Sequence, residues 1–298
     1  PGIIYYLTLW YPNKRRTQAI AKFLLAIPIT GVLGSVLSGW IMVHFNDYLG
    51  LKGWQWLFII EGSPAVLLGI VSFFILTDAP THATWLNQEE KALILNNLAN
   101  EQTENTHASL KELLCSTLLW QLAGIYFFLA MGLYGISFWL PQIIRDIGQK
   151  DLIQTSLYTA IPYAVAAIAM LLISYYSDKT QQRHWHLMVC LIGMSLGFLL
   201  SIMFEHQLWQ SLVVLSLATL SILSGIAIFW AIPTQLLSGR LAAGGIAFIN
   251  AIGNLSGYLS PVLLGWLKDL TGEMTSSLWI LSFMPLLTIL LVLSLSFK

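Results

Sequence analysis

The sequence has little charge. Of its 298 residues only 9% are Asp, Glu, Lys or Arg, 57% are hydrophobic, and the 14 acidic residues balance the 14 basic ones. Soluble domains are about one quarter charged, because charged side chains cover their surface. A net charge of zero also argues against binding of nucleic acid by bulk electrostatic attraction. The medium around this chain is therefore expected to be a lipid bilayer.

Several kinds of site lack the residues that they need. Two cysteines, Cys115 and Cys190, are too few for a disulfide framework or a cysteine-rich metal site. No phosphate-binding loop occurs, so ATP-driven transport has no support. Gly193 to Gly197 match the hydrolase pattern G-x-S-x-G, but they lie in an apolar run without the strand-to-helix turn that this motif requires. We predict neither an enzyme nor a bound metal or other cofactor.

Eight long apolar runs make up most of the chain. A helix needs roughly 20 residues to cross a bilayer, and continuous runs fit helices, whereas the strands of a membrane barrel alternate apolar and polar residues. The predicted spans are 23–43, 54–76, 117–144, 155–176, 187–204, 208–232, 242–267 and 277–297. Residues 1–11 resemble the end of a ninth span. The predicted fold is an all-α polytopic membrane protein.

Lysine and arginine are unevenly divided between the two ends of these spans. If the spans alternate in direction, ten basic residues lie on one side and four on the other. The ten are Lys14, Arg15, Arg16, Lys22, Lys91, Lys111, Lys179, Arg183, Arg240 and Lys298, and the four are Lys52, Arg145, Lys150 and Lys268. Basic residues concentrate on the cytoplasmic side of membrane proteins. The larger group and the C-terminus are therefore predicted to be cytoplasmic, in a multi-pass protein of the inner cell membrane.

The connection at residues 77–116 is long and polar, whereas the other connections are short. Its segment NQEE at 87–90 precedes an apolar stretch, which is the pattern of a capping box at the start of a short helix. Six spans follow this connection and two precede it, and transporters built from two six-helix halves carry such a linker between the halves. The predicted units are the remainder of an N-terminal bundle at 1–76, a cytoplasmic linker at 77–116 and a C-terminal six-helix bundle at 117–298.

Five separated segments, in order along the chain, resemble segments of one family. They are GWQWLFIIEGSP at 53–64, LYGISFWLP at 133–141, SDKTQQRHWH at 177–186, AGGIA at 243–247 and NAIGN at 250–254. The family is the major facilitator superfamily, and the branch is its anion:cation symporters, which include tartrate, phthalate and hexuronate permeases. The third segment resembles the motif SDRTGERRWH but departs from it at Lys179, Gln181, Gln182 and His184. Ser174 lies where this motif usually has Gly.

The resemblance implies two six-helix bundles that rock around a central cavity and carry a small organic anion, such as a sugar acid or a dicarboxylate, together with protons. It also implies that the main anion-binding arginine and the proton-carrying acids lie largely on helices one and four. The count of spans then predicts an N-terminal truncation, with residues 1–11 ending helix four. We expect the 298-residue chain, as a monomer, to be unable to couple protons to transport on its own.

Two other functions remain open for this sequence. The first is a facilitator-like membrane sensor that binds a ligand without transporting it. The second is an inactive truncated remnant.

Asp178, Lys179 and Arg183 lie at the predicted cytoplasmic end of the span 155–176. A charged turn at this place can bridge two helices in one conformation and release them in the other, and so act as a gating motif. The alternative is that this is ordinary positive-inside flanking of a span, with Lys179 and Arg183 as its basic residues.

Asn250 and Asn254 are four residues apart, so they share one helix face, and Gly253 and Gly257 share the adjacent face. Amides are costly against lipid, so the Asn face is expected to point to a water-filled cavity or to a partner helix. The two asparagines are predicted either to bind substrate or to link helices. The glycines are predicted to let a neighbouring helix approach closely.

The remaining candidates for substrate binding are aromatic or lie near a proline. Tyr126 and Tyr134 share one side of the span 117–144, either as a cavity wall or as aromatic packing. Trp230 and Gln235 flank Pro233, where a missing backbone N–H predicts a hinge or a cavity wall.

Glu61 is a carboxylate inside a predicted span, on its non-cytoplasmic half. An acid within the membrane is a candidate functional residue, and desolvation favours its protonated form. Glu61 is therefore predicted either to carry a proton or to play a structural part by pairing with a partner or holding a helix end.

Overall fold

The structure is a computed structural model that describes residues 2–99, 114–147, 151–204, 206–237, 240–273 and 275–295. These residues form helices almost throughout. The first five helices are α1 (Gly2–Thr8), α2 (Asn13–Leu24), α3 (Ala26–His44), α4 (Gly53–Ile75) and α5 (Gln88–Ala99). The other eight are α6 (Thr117–Asp146), α7 (Leu152–Thr180), α8 (Arg183–Met203), α9 (Leu208–Ala231), α10 (Pro233–Leu236), α11 (Arg240–Asn254), α12 (Ser256–Thr271) and α13 (Thr275–Ser294).

Eight helical spans among the described residues are long and apolar enough to cross a membrane. They are Lys14–His44, Gly53–Ile75, Thr117–Asp146, Leu152–Thr180, Arg183–Met203, Leu208–Leu236, Ala243–Thr271 and Thr275–Ser294. The predicted all-α polytopic fold is confirmed, with one structural span for each of the eight apolar runs. Residues 1–11 contain the short helix α1.

Two of these spans are interrupted near a proline. Proline has no N–H, and its ring crowds the carbonyl four residues earlier. Leu24, four residues before Pro28, is the last residue of α2. Phe229, four residues before Pro233, has its carbonyl taken by the N–H of Ile232 at 2.8 Å, and α9 ends at this point.

The predicted capping box opens the short helix α5. The backbone N–H of Asn87 donates to Glu90 Oε2 at 2.9 Å, and the backbone N–H of Glu90 donates to Asn87 Oδ1 at 2.8 Å. This part of the predicted linker is confirmed as a short helix, and all its side chains are at least partly exposed. Residues 100–113 of the linker lie outside the described residues, and the division into three units remains a prediction.

Helix α9 lies at the centre of the packed helices and contacts α6, α7 and α8. All its side chains from Ser221 to Ala231 are buried. A helix that is apolar on every side is stable either inside a protein or against lipid. The central place of α9 is therefore set by packing against its neighbours, to which the small residues of α8 contribute.

The small residues of α8 explain its contact with α9. A Cβ atom added at Gly197 would lie 2.6 Å from the backbone nitrogen of Ala218, and one added at Gly193 would overlap with the Ser221 hydroxyl. Ser195, between these glycines, donates to a backbone carbonyl of α13. The G-x-S-x-G segment is thus a helix-packing surface inside α8, in the G-x-x-x-G manner of membrane helices.

The span formed by α2 and α3 runs along α7. Gln18 lies against the C-terminal end of α7, Gly31 lies against the ring of Tyr163, and Gly39 lies against Ser156. Polar contacts that join the two helices cluster at the end that carries Asp178. This end is called the latch end below.

Candidate functional site

Helices α11 and α12 approach α6 closely through two glycines. A Cβ atom added at Gly257 would lie 3.0 Å from the ring of Tyr134, and one added at Gly253 would overlap with the ring of Tyr126. The close approach predicted for these glycines is confirmed. The contact brings the tyrosines of α6 next to the asparagines of α11.

A hydrogen bond joins α6 and α11 at the surface of the protein. The Tyr134 hydroxyl donates to Asn254 Oδ1 at 3.2 Å. Tyr134 is half-buried, Asn254 is exposed, and Asn250, one turn earlier, is half-buried. Within the described ranges the amide nitrogen of Asn254 has no hydrogen-bond partner. Asn254 thus links two helices through its oxygen, and its two N–H donors make no hydrogen bond to another described residue. We call Tyr134, Asn250 and Asn254 the polar wall.

Tyr126 and Trp230 lie behind the polar wall. The Tyr126 ring stacks on Phe229, with ring centres 5.4 Å apart, and meets the edge of Trp230 at 4.6 Å. Trp230 is 3% exposed and Tyr126 is 9% exposed. Their observed contacts are aromatic packing between α6, α9 and α11. Gln235, by contrast, is exposed on α10.

Tyr163 is a polar residue of the interior that the sequence analysis did not select. Its hydroxyl donates to Ser137 Oγ of α6 at 3.3 Å, and its ring lies against Gly31 of α3. It therefore contacts two helices from a third. The available signal was a hydroxyl in the middle of a predicted span, where polar groups require a partner.

Glu61 of α4 is half-buried and accepts a hydrogen bond from the Ser38 hydroxyl of α3 at 2.7 Å. This bond links two neighbouring helices. It agrees with the predicted structural alternative, in which Glu61 pairs with a partner. Its capacity to carry a proton remains a hypothesis.

The latch end contains a buried ion pair. Asp178 Oδ1 accepts from Arg183 Nη2 at 3.2 Å, and both side chains are at most 4% exposed. Asp178 Oδ2 accepts the backbone N–H of Gln18 on α2 at 2.8 Å. A buried ion pair needs additional hydrogen bonds to offset its desolvation. The bond to Gln18 is one of these, and it joins α7 to α2.

Two arginines donate to carbonyls on either side of Pro233. Arg183 Nη1 donates to the Ala231 carbonyl at 3.1 Å. Arg16 Nη1, from α2, donates to the Thr234 carbonyl at 3.1 Å. Positive charge is favoured at the C-terminal carbonyls of a helix. In the sequence analysis Arg16 contributed only to the count of basic residues, so this contact was not foreseen.

Gln181 lies at the position where the family motif has Gly. Its φ of 57° falls in the left-handed region, which glycine adopts readily and other residues adopt at a cost. Its side-chain Nε2 donates to the Asp178 carbonyl at 2.6 Å and to the Lys14 carbonyl of α2 at 3.3 Å. The glutamine thus keeps the glycine conformation and adds a contact between α7 and α2.

Lys179 lies apart from these contacts. Its side chain is exposed and makes no hydrogen bond or ion pair within the described part of the chain. The geometry brings Asp178 and Arg183 together but not the third predicted gating residue.

Three hydroxyl groups at the latch end are buried and have no hydrogen-bond partner among the described residues. They belong to Thr17 of α2 and to Ser174 and Ser177 of α7, and all three residues are 0% exposed. Ser174 lies one turn before Asp178 and occupies the other glycine position of the motif.

Comparison with known proteins agrees with this architecture. The family model of the Major Facilitator Superfamily matches residues 1–261. NicT of Pseudomonas putida, a candidate metabolite transport protein, is 37% identical over 100% of this chain and 69% of its own length. A candidate tartrate transporter of Agrobacterium vitis is 39% identical over 99% of this chain and 68% of its own length. The inner membrane transport protein RhmT of Escherichia coli is 36% identical over 88% and 61% of the respective chains.

The chain thus spans about two-thirds of the length of these relatives. The resemblance seen in the five sequence segments is confirmed by the match over most of the chain. The chain belongs to the Major Facilitator Superfamily.

Proposed function

We propose that the protein is a secondary transporter that carries a small organic anion, a sugar acid or a dicarboxylate, across the inner cell membrane together with protons by alternating access. The observation that carries the proposal is the latch, by which we mean the contacts of Asp178, Gln181 and Arg16 that join α2 to α7 and α10. Asp178 of α7 holds the backbone of α2 at 2.8 Å, and the two helices belong to different predicted bundles. The latch end corresponds to the predicted cytoplasmic side.

The contacts of the latch suit a gate that opens and closes. They are hydrogen bonds between side chains and backbone groups, and bonds to charged groups contribute about 1.5–3 kcal/mol each. Water can replace each of them when α2 and α7 separate. A few such bonds can therefore bias an equilibrium between two conformations without locking either one.

The polar wall suits an oxygen-rich substrate. Tyr134, Asn250 and Asn254 offer neutral donors and acceptors on partly exposed surfaces of α6 and α11. The names of the relatives include tartrate and metabolite transport, which supports a small organic acid as substrate. For proton coupling we propose Glu61, a carboxylate within a membrane span, as a residue that carries a proton.

Uptake by the full-length protein in proteoliposomes tests this function. The substrates are radiolabelled tartrate, gluconate and phthalate, each offered with an inside-alkaline pH gradient and without one. We expect at least one acid to accumulate above its external concentration only when the gradient is present. Saturable binding of an acid without any gradient-driven uptake would refute transport and favour the sensor.

A further inference from the structure

Arg16 joins α2 to the broken end of α9. The residue is 4% exposed, and its Nη1 donates to the Thr234 carbonyl at 3.1 Å. The Nε and Nη2 atoms of the same guanidinium donate to the Tyr11 carbonyl at 3.3 and 3.0 Å. One planar group thus bridges the segment before α2 and the turn α10, a geometry that the fork of donors in arginine allows.

The carbonyl that Arg16 holds belongs to a deformable part of its span. Pro233 removes a backbone hydrogen bond between α9 and α10, and Thr234 Oγ1 donates back to the Ala231 carbonyl at 2.9 Å. The last carbonyls of a helix need partners from outside it. Arg16 supplies such a partner from α2, so the position of α10 depends on the position of α2.

Two ring contacts and the neighbouring residues of the chain connect this turn to the polar wall. Thr234 lies one turn beyond Trp230, and the Trp230 ring meets Tyr126 at 4.6 Å. Tyr126 in turn lies against Gly253, the residue before Asn254. A movement of α10 can therefore reach Asn254 through the rings of Trp230 and Tyr126.

We propose that Arg16 is a positioning residue of the transport cycle. With the latch closed, it fixes the Pro233 break and, through Trp230 and Tyr126, the position of Asn254. When α2 moves away, Arg16 no longer holds the Thr234 carbonyl, and α10 no longer fixes the position of the polar wall. The inference rests on the proposed function, because it assigns Arg16 a part in the conformational change of that transporter.

Arg15 provides a matched control. It has the same charge and lies on the same helix, but its side chain is exposed and makes no hydrogen bond or ion pair within the described ranges. Replacing Arg15 changes the count of basic residues as much as replacing Arg16 does. Any effect on membrane insertion through the distribution of positive charge is therefore common to both variants.

The test uses the full-length protein with Ser177→Cys as a reporter, in which Cys115 and Cys190 are replaced by Ser. Ser177 is buried at the latch end, next to Asp178, so we expect a membrane-impermeant maleimide applied to inside-out vesicles to reach the introduced thiol faster when the latch opens. We expect Arg16→Gln to raise the labelling rate about tenfold, the effect of losing roughly one charge-assisted hydrogen bond. Arg15→Gln is expected to stay within about twofold of the parent.

The second measurement is tartrate binding to the same variants in detergent. Arg16→Gln is expected to weaken tartrate binding about tenfold, while Arg15→Gln leaves it unchanged. If Arg16→Gln does not reach the membrane, Arg16→Lys and Arg15→Lys form the replacement pair, since both retain the charge, and only the first is expected to raise labelling.

Equal labelling rates in the Arg16 and Arg15 variants would overturn the proposal. The labelling needs no substrate, so it tests the role of Arg16 separately from the proposed transport function. Faster labelling of the Arg16 variant in a protein that transports no acid would uphold the contact of Arg16 with α10 as a restraint on the latch end, while the missing transport would refute the proposed function.

Discussion

The carboxylate of Asp178 accepts the backbone N–H of Gln18 at 2.8 Å, across 160 residues of sequence. The partner on α2 is a peptide group, so the contact does not depend on the identity of residue 18. The same carboxylate pairs with Arg183. One acid therefore maintains a contact inside the turn between α7 and α8 and another between α7 and α2.

Asp178→Asn is expected to destabilise the closed latch and the protein. The change leaves the guanidinium of Arg183 buried without its counter-charge, and breaking a buried pair costs about 3–5 kcal/mol. Thermal unfolding of the purified protein measures the loss. Lys179→Gln, in the same turn but exposed, is the control and should leave the melting temperature unchanged. Equal melting temperatures for the two variants would show that the buried pair contributes nothing.

Gln181 yields a ranking of three variants. Glycine removes the left-handed strain but loses both side-chain bonds, whereas alanine loses the bonds and keeps a strain of about 1–2 kcal/mol. We therefore expect stability in the order Gln181, Gly and then Ala, with Ala about 1 kcal/mol or more below Gly. Denaturation curves of the three proteins measure this order. If the alanine and glycine variants were equally stable, residue 181 would not adopt a positive φ in the protein in its membrane.

Tyr134→Phe removes one hydroxyl and keeps the ring against Gly257. If the Tyr134–Asn254 pair binds substrate, tartrate affinity should fall about tenfold, the effect of roughly one lost hydrogen bond. Asn254→Ala alone and the double variant complete a mutant cycle, in which the pair should be non-additive. Tyr48→Phe, an exposed tyrosine in the connection between α3 and α4, is the control. Unchanged affinity in all the variants of the pair would assign Tyr134 and Asn254 to helix packing alone.

Gly253→Ala tests the close approach of α11 to α6. The added methyl group would overlap with the Tyr126 ring, and such overpacking costs about 1–3 kcal/mol. Gly34→Ala in α3 is matched, because its Cβ atom would meet nothing within 4 Å of the described structure. There alanine should be neutral or stabilising, since glycine weakens a helix by up to about 1 kcal/mol. A stable Gly253→Ala protein would contradict this packing.

Local patterns were predictable from the sequence. The apolar runs specify the eight spans because every backbone group of a membrane helix is satisfied within the helix. The capping box at Asn87 depends on residues only three positions apart, and the charged turn that contains Asp178 and Arg183 lies within one motif. These features need no knowledge of which helices are neighbours.

The unpredicted features all depend on neighbours. Nearly every residue has a backbone N–H group, so the sequence does not identify that of Gln18 as the partner of Asp178. In the sequence, Arg16 and Arg15 are adjacent arginines at the start of the same span. Only the position of α10 in the structure shows that Arg16 is the one that contacts it. Trp230 was a candidate for a cavity wall but lies behind Tyr126, because the packing around α9 sets the direction in which its side chains point.

The three unpartnered hydroxyls of Thr17, Ser174 and Ser177 change how the closed latch should be understood. Each buried hydroxyl without a partner costs about 1–3 kcal/mol, and water would satisfy it. Alanine or glycine at these places would have made a drier and more durable seam. We therefore expect hydration of these hydroxyls to favour an open latch end, which the bonds of Asp178, Gln181 and Arg16 oppose.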